Sequence, residues 1–94
     1  MRYTVKAYLC TNFTGLMAYL TTDDWSEVEN FIWENCQKGY NCQFVDHTTA
    51  NNCGVAYANL FTEDTTDVEE LIVHEHGAPT DFYNDLRLEQ MEQM

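Results

Sequence analysis

From Tyr3 to Cys10 the chain alternates, with Tyr3, Val5, Ala7 and Leu9 set against Thr4, Lys6, Tyr8 and Cys10. A period of two is that of a half-buried β-strand. Asn12-Phe13-Thr14-Gly15 is turn chemistry and Leu16 to Thr21 resumes the strand pattern, so the two segments predict a hairpin. The period then changes. Trp25, Val28, Phe31, Ile32 and Cys36 recur three and four residues apart, which is one face of a helix. Thr22, Asp23 and Asp24 offer capping oxygens, Glu27 completes a capping box three residues after Asp24, and Lys38-Gly39 supplies the stop. Tyr40, Cys42 and Phe44 alternate with Asn41, Gln43 and Val45 as a third strand. Asp46 to Gly54 is polar and turn-rich, and Val55 to Thr62 reads as a fourth strand.

Further on, the pattern admits two readings. Thr66-Asp67-Val68-Glu69 is a second capping box, and His74, His76, Gly77 and Pro79 are stop signals, which predicts a helix over Asp67 to His76. Leu71-Ile72-Val73 would instead suit a fifth strand. Asp81 to about Gln93 is predicted as a last helix capped by Thr80. The order ββαββ followed by helices predicts an α+β fold in two layers: an antiparallel sheet of about four strands, a helix on one face, and one or two C-terminal helices. With no internal repeat, low-complexity tract or dividing linker, residues 1–94 are expected to form one domain.

Charge narrows the function. Sixteen Asp and Glu stand against four Lys and Arg (Arg2, Lys6, Lys38, Arg87), a net charge of −12. Nucleic-acid binding draws on cations that displace phosphate counterions, so direct binding to DNA or RNA is not expected, nor is an anionic membrane surface. The longest apolar stretch, Leu16 to Leu20, is far short of the ~20 residues that a membrane span needs. The N-terminus alternates and carries no signal-peptide pattern, so a cytoplasmic setting is expected, in the host cell if the protein is phage-encoded, with reduced thiols. Cys42 and Cys53 could face each other across a hairpin; the plainer reading of Cys10, Cys36, Cys42 and Cys53 is as small apolar groups.

On the predicted last helix Asp81, Asp85, Glu89 and Glu92 fall on one face, with carboxylates roughly 6 Å apart along the axis. Asp23, Glu27 and Glu34 make a similar face on the first helix, and Glu63, Asp64, Asp67, Glu69 and Glu70 crowd the linker and the segment after it. Acidic faces are usually solvated surface and nothing more. Ordinary surfaces nevertheless mix both signs, and rows of carboxylates at phosphate-like spacing can occupy a basic groove built for DNA or RNA. Trp33 lies about 140° around the helix from Val28, beside Glu29. It is either a ring at the core margin or an exposed anchor for a protein partner.

Other chemistry has thinner support. On a strand His74 and His76 would share a face and could ligate a metal; on a helix they would point about 200° apart. A Cys and a His, such as Cys53 and His47, could pair as nucleophile and base only if the fold brought them together. The chain has no G-x-S-x-G, no phosphate-binding loop and no zinc spacing, so no enzyme, cofactor or metal is expected.

Tyr3 to His47 loosely resembles the small repeated modules of ArdA-type antirestriction proteins. The residues concerned are Val5-Lys6-Ala7-Tyr8-Leu9-Cys10, Thr11-Asn12-Phe13-Thr14-Gly15, the helix start Asp23-Asp24-Trp25-Ser26-Glu27, and Phe44-Val45-Asp46-His47. That likeness covers about half the chain, and its turn lacks the family's fuller Gly and Trp set. In size and charge the chain is also similar to phage-encoded anti-CRISPR proteins. The resemblance implies an acidic DNA mimic. The expected function is a small inhibitor that binds a basic nucleic-acid-binding protein or complex through Asp23, Glu27, Glu34, Trp33, Asp81, Asp85, Glu89 and Glu92. The alternative is a non-enzymatic interaction or viral accessory protein whose acidity only keeps it soluble.

Overall fold

In the computed structural model, which describes residues 1–49, 52–62, 64 and 67–75, the alternating N-terminal segments form β1 (Tyr3–Tyr8) and β2 (Leu16–Thr22). They are joined through a turn in which Phe13 and Gly15 both take positive φ, 58° and 75°. Main-chain bonds from Leu9 N to Gly15 O (2.9 Å) and Phe13 N to Cys10 O (3.0 Å) close it. α1 (Trp25–Gln37) follows, then β3 (Asn41–Asp46) and β4 (Cys53–Ala56). A 3-10 turn at Ala58–Leu60, another at Val68–Leu71, and β5 (Ile72–Glu75) complete the described chain. The sheet has five strands in the order β2-β1-β3-β4-β5, every neighbouring pair antiparallel.

α1 forms where its spacing predicts and buries Val28, Ile32 and Cys36 against Tyr3, Val5, Ala7, Cys42, Phe44, Ala56 and Ile72. Full burial of an aliphatic side chain such as Ile32 contributes about 1.5–3 kcal/mol. The helix ends as expected, with Lys38 at the C-cap and Gly39 at φ 89°, a conformation glycine adopts without a Cβ clash. Its start differs from a simple capping box. Asp24 accepts from Ser26 N (3.0 Å), but Glu27 does not reach back to Asp24 directly. The Thr22 hydroxyl stands between them: it accepts from Asp24 N (3.1 Å) and donates to Glu27 Oε2 (2.5 Å).

Three expectations are corrected. The sheet has five strands where about four were expected, because the segment predicted as a helix over Asp67 to His76 is one 3-10 turn that runs into β5. The cap is Asp67, whose side chain accepts from Glu69 N (3.0 Å); Thr66 lies outside the described residues. After one turn, however, Ile72 and Val73 take places opposite Ala56 and Val55 of β4, and sheet pairing with burial of Val68, Leu71 and Ile72 outweighs a short helix. The fourth strand is shorter than Val55 to Thr62. The Asn41 side chain accepts from Ala58 N (3.1 Å) and turns the chain away after Ala56. Finally, β1 and β3 are buried on both faces and not half-buried. Lys6, Tyr8, Asn41, Gln43 and Val45 on the side away from α1 are as enclosed as Val5 and Phe44. Part of that side is an aromatic chain in which Phe13 meets Tyr8 and Tyr57, each at 5.7 Å between ring centroids. The predicted helix from Asp81 to Gln93 lies outside the described residues, and among the described residues no helix is long and apolar enough to cross a membrane.

Candidate functional site: an acidic surface around helix α1

On its outer side α1 exposes Ser26, Glu27, Asn30, Glu34 and Gln37. The acids around it form two groups. On the flank toward β2, Asp23 uses one carboxylate oxygen to accept from Arg2 N (2.7 Å), and Glu27 is tied to Thr22. Glu34 lies two turns after Glu27, within about 20° of it around the axis, and is exposed. Asp23 and Glu27 therefore combine a structural bond with surface charge, whereas Glu34 is surface charge only.

The opposite flank was not legible in the sequence. Val68 and Leu71 bury themselves beside α1, and the turn they anchor brings Asp67 and Glu69 toward Glu29. Burial pushes the Glu29 carboxyl up, and the negative charges of Glu69 and Asp67 push it the same way. Glu69 also meets the His74 ring, Oε1 to Nε2 at 3.2 Å. Trp33 rises on this flank, 41% exposed, with its ring edge-on to Phe61 at 6.2 Å; the neighbouring Leu60 is also exposed. Trp33 thus belongs with Phe61 on the Glu29 flank, about 100° around α1 from Glu34. Of the predicted partner residues, Asp23, Glu27 and Glu34 share one side, Trp33 stands on the other, and Asp81, Asp85, Glu89 and Glu92 lie outside the described residues. The Glu29–Asp67–Glu69 grouping depends on how the 3-10 turn docks, so only the apolar spacing of Val68 and Leu71 hinted at it.

Among the described residues Arg2–Asp46 is an ion pair, and the exposed contact between His74 and Glu69 is one only when the ring is protonated. Asp46 is not part of the acidic surface. It is fully buried and accepts from Thr48 N (2.9 Å), Thr48 Oγ1 (2.6 Å), Asn52 Nδ2 (3.0 Å) and Arg2 Nη2 (3.1 Å). Burial pushes its carboxyl up, but the bonds from Thr48, Arg2 and Asn52 together hold it well below the usual carboxylate range. This carboxylate pins the connection from β3 to β4 to the N-terminus.

The thiols and imidazoles form no catalytic pair among the described residues. Cys42 and Cys53 cannot meet, because Cys42 stands opposite Ala56 and Cys53 opposite Val45, on different faces of the sheet. Cys42 instead donates to the Cys36 thiol; that bond and burial push the Cys42 thiol up, while the same donation eases Cys36 down. Cys53 donates to Glu75 O (3.3 Å), and burial followed by the Glu75 charge pushes its thiol up, away from nucleophilic character. His47 bonds the Thr4 hydroxyl (2.7 Å). His74 lies on β5 and His76 outside the described residues; among the described residues no three His, Cys, Asp or Glu side chains gather as a metal site.

Such a surface can attract a basic partner over distance and presents the Trp33 ring beside its carboxylates. Compared with known protein families, curated proteins and solved structures, the chain matches none.

Proposed function

We propose that the protein is a small non-enzymatic inhibitor that binds a basic nucleic-acid-handling protein, of the restriction or CRISPR type, by presenting carboxylates where that partner accepts phosphates. The observation that carries this reading is the unbalanced charge around α1. Glu27 and Glu34 are exposed on one flank, and Asp67 and Glu69 act on Glu29 on the other. Among the described residues the Arg2–Asp46 pair is internal, and the His74 contact with Glu69 carries opposite charge only when the ring is protonated. A basic groove would gain from this field in association rate and in specificity. The sequence adds Asp81, Asp85, Glu89 and Glu92 as a further row if their segment is helical. Asp23, Glu27 and Glu34 would serve as phosphate substitutes, and Trp33 with Phe61 as the apolar anchor.

A second reading has one observation in its favour. Trp33, Phe61 and Leu60 make an exposed apolar group that would suit an ordinary protein interface, with the acidity serving solubility alone. Charge reversal separates the two. Glu34→Lys combined with Asp85→Lys and Glu89→Lys should relieve inhibition of DNA cleavage at low salt by restriction or CRISPR nucleases, while thermal unfolding stays nearly unchanged. Inhibition that survives reversal but is lost in Trp33→Ala favours the second reading.

A further inference from the structure

Charge is as uneven along the sheet as it is around the helix. From Ala7 through Thr22 no residue is Asp, Glu, Lys or Arg, although charged residues are 21% of the chain. That neutral run includes all of β2, the outermost strand. Among the described residues β2 pairs only with β1, which leaves main-chain N–H and C=O groups along its other edge. Natural edge strands are usually guarded by lysine, proline or a bulge. β2 has no charge and no proline, and its one irregularity, opposite Ala7 and Tyr8, lies at its beginning and leaves Ala18 to Thr22 in regular register. Met17 at 49% and Leu9 at 56% exposure add apolar surface at the same end of the hairpin.

We propose that this edge is a self-association surface, on which a second copy of the chain adds its own β2 antiparallel and merges the two sheets into one. Charge selects the occupant. Two chains of net charge −12 repel over most approaches, and the neutral edge is where a second acidic copy meets the least opposition. A two-fold pairing centred on Tyr19 sets Leu16 opposite the partner's Thr22, Met17 opposite the partner's Thr21 and Ala18 opposite the partner's Leu20. Asp23 then falls opposite the partner's Gly15, so no carboxylate is set against another. Glu27 is bonded to Thr22, three residues from the two-fold centre in each copy. The two Thr22 positions therefore stand about six residues of strand rise apart, roughly 20 Å, beyond the screening length of about 8 Å at physiological salt. The aromatic and aliphatic side chains of the strand provide favourable cross-strand neighbours.

The test is sedimentation equilibrium on the full chain at low and high salt. The expected mass is twice 11.0 kDa, with the dimer tightening as salt rises because screening removes repulsion between the copies. Binding to a basic partner should weaken with salt, so the failure of one proposal is distinguishable from the failure of the other. Tyr19→Lys sets like charges opposite each other at the two-fold axis and should weaken the dimer ten-fold or more, whereas Tyr19→Phe should keep it. Met17→Lys serves in its place if Tyr19→Lys fails to fold by circular dichroism. A protein that stays monomeric at both salts up to about 1 mM, a concentration at which even weak pairing is populated, overturns the proposal. So does a dimer that both folded lysine variants leave unchanged.

Discussion

Asp46→Asn should destabilise the protein more than any change on the acidic surface. The buried carboxylate accepts two bonds from Thr48, one from Asn52 and a pair from Arg2. An asparagine of the same shape keeps one acceptor oxygen. Its amide, however, turns N–H groups toward donors, either Asn52 and Arg2 or Thr48, so at least one neighbour loses its partner. Each hydrogen bond to a charged group is worth about 1.5–3 kcal/mol net. The Arg2 share is small because its side chain is half exposed. A loss of about 3 kcal/mol follows, and at roughly 4–8 °C per kcal/mol for a domain of this size Tm should fall by roughly 12–24 °C. The pH dependence adds a second, signed test. The folded Asp46 carboxyl titrates below its ordinary 3.8, so its stabilisation is fully present above that value and is lost as pH falls toward the folded pKa. The Tm gap between wild type and Asp46→Asn should therefore be largest near neutrality and narrow below about pH 4. Thermal melts followed by circular dichroism across that range provide the measurement. A gap under about 3 °C at pH 7, or one that widens on acidification, refutes the assigned role.

Gly54→Ala should also destabilise, by about 1–3 kcal/mol of overpacking. A Cβ at this position would stand 2.7 Å from Phe44 Cε1 and 2.9 Å from Val73 O, and Phe44 is held in the core with its ring against His74; a melt indistinguishable from wild type would show that β4 has room to yield. Alkylation of the native protein should modify Cys10 alone, since Cys36, Cys42 and Cys53 are buried, and all four thiols should react once the chain is unfolded; intact mass reads the count, and rapid native labelling of Cys36 or Cys42 would contradict their burial.

What the sequence made legible was local. α1 carries its own start, stripe and stop, and the hairpin carries its own turn, so each is specified by neighbouring residues. The segment after Asp67 departs from the expected helix because its cap precedes an Ile-Val pair whose strand partner lies in β4, far away in the chain. The strand after Cys53 was drawn too long because the group that turns the chain at Ala58 is the side chain of Asn41. The bonding of Asp46 depends on Asn52 and Arg2 as well as on Thr48 two residues on, and only the Thr48 part, an Asx-type arrangement, is local. Of the candidate site, the outer side of α1 was readable from helical spacing. The approach of Asp67 and Glu69 to Glu29, and the pairing of Trp33 with Phe61, were not, because both depend on docking between distant segments.

The central claim is that the carboxylates around α1 substitute for phosphates in a partner's basic groove. Titrating the protein against restriction and CRISPR nucleases loaded with fluorescent DNA, at low and high salt, tests it most directly. The DNA should be displaced at low salt, and displacement should weaken steeply as salt rises. Undisturbed DNA, or displacement that ignores salt, would contradict it.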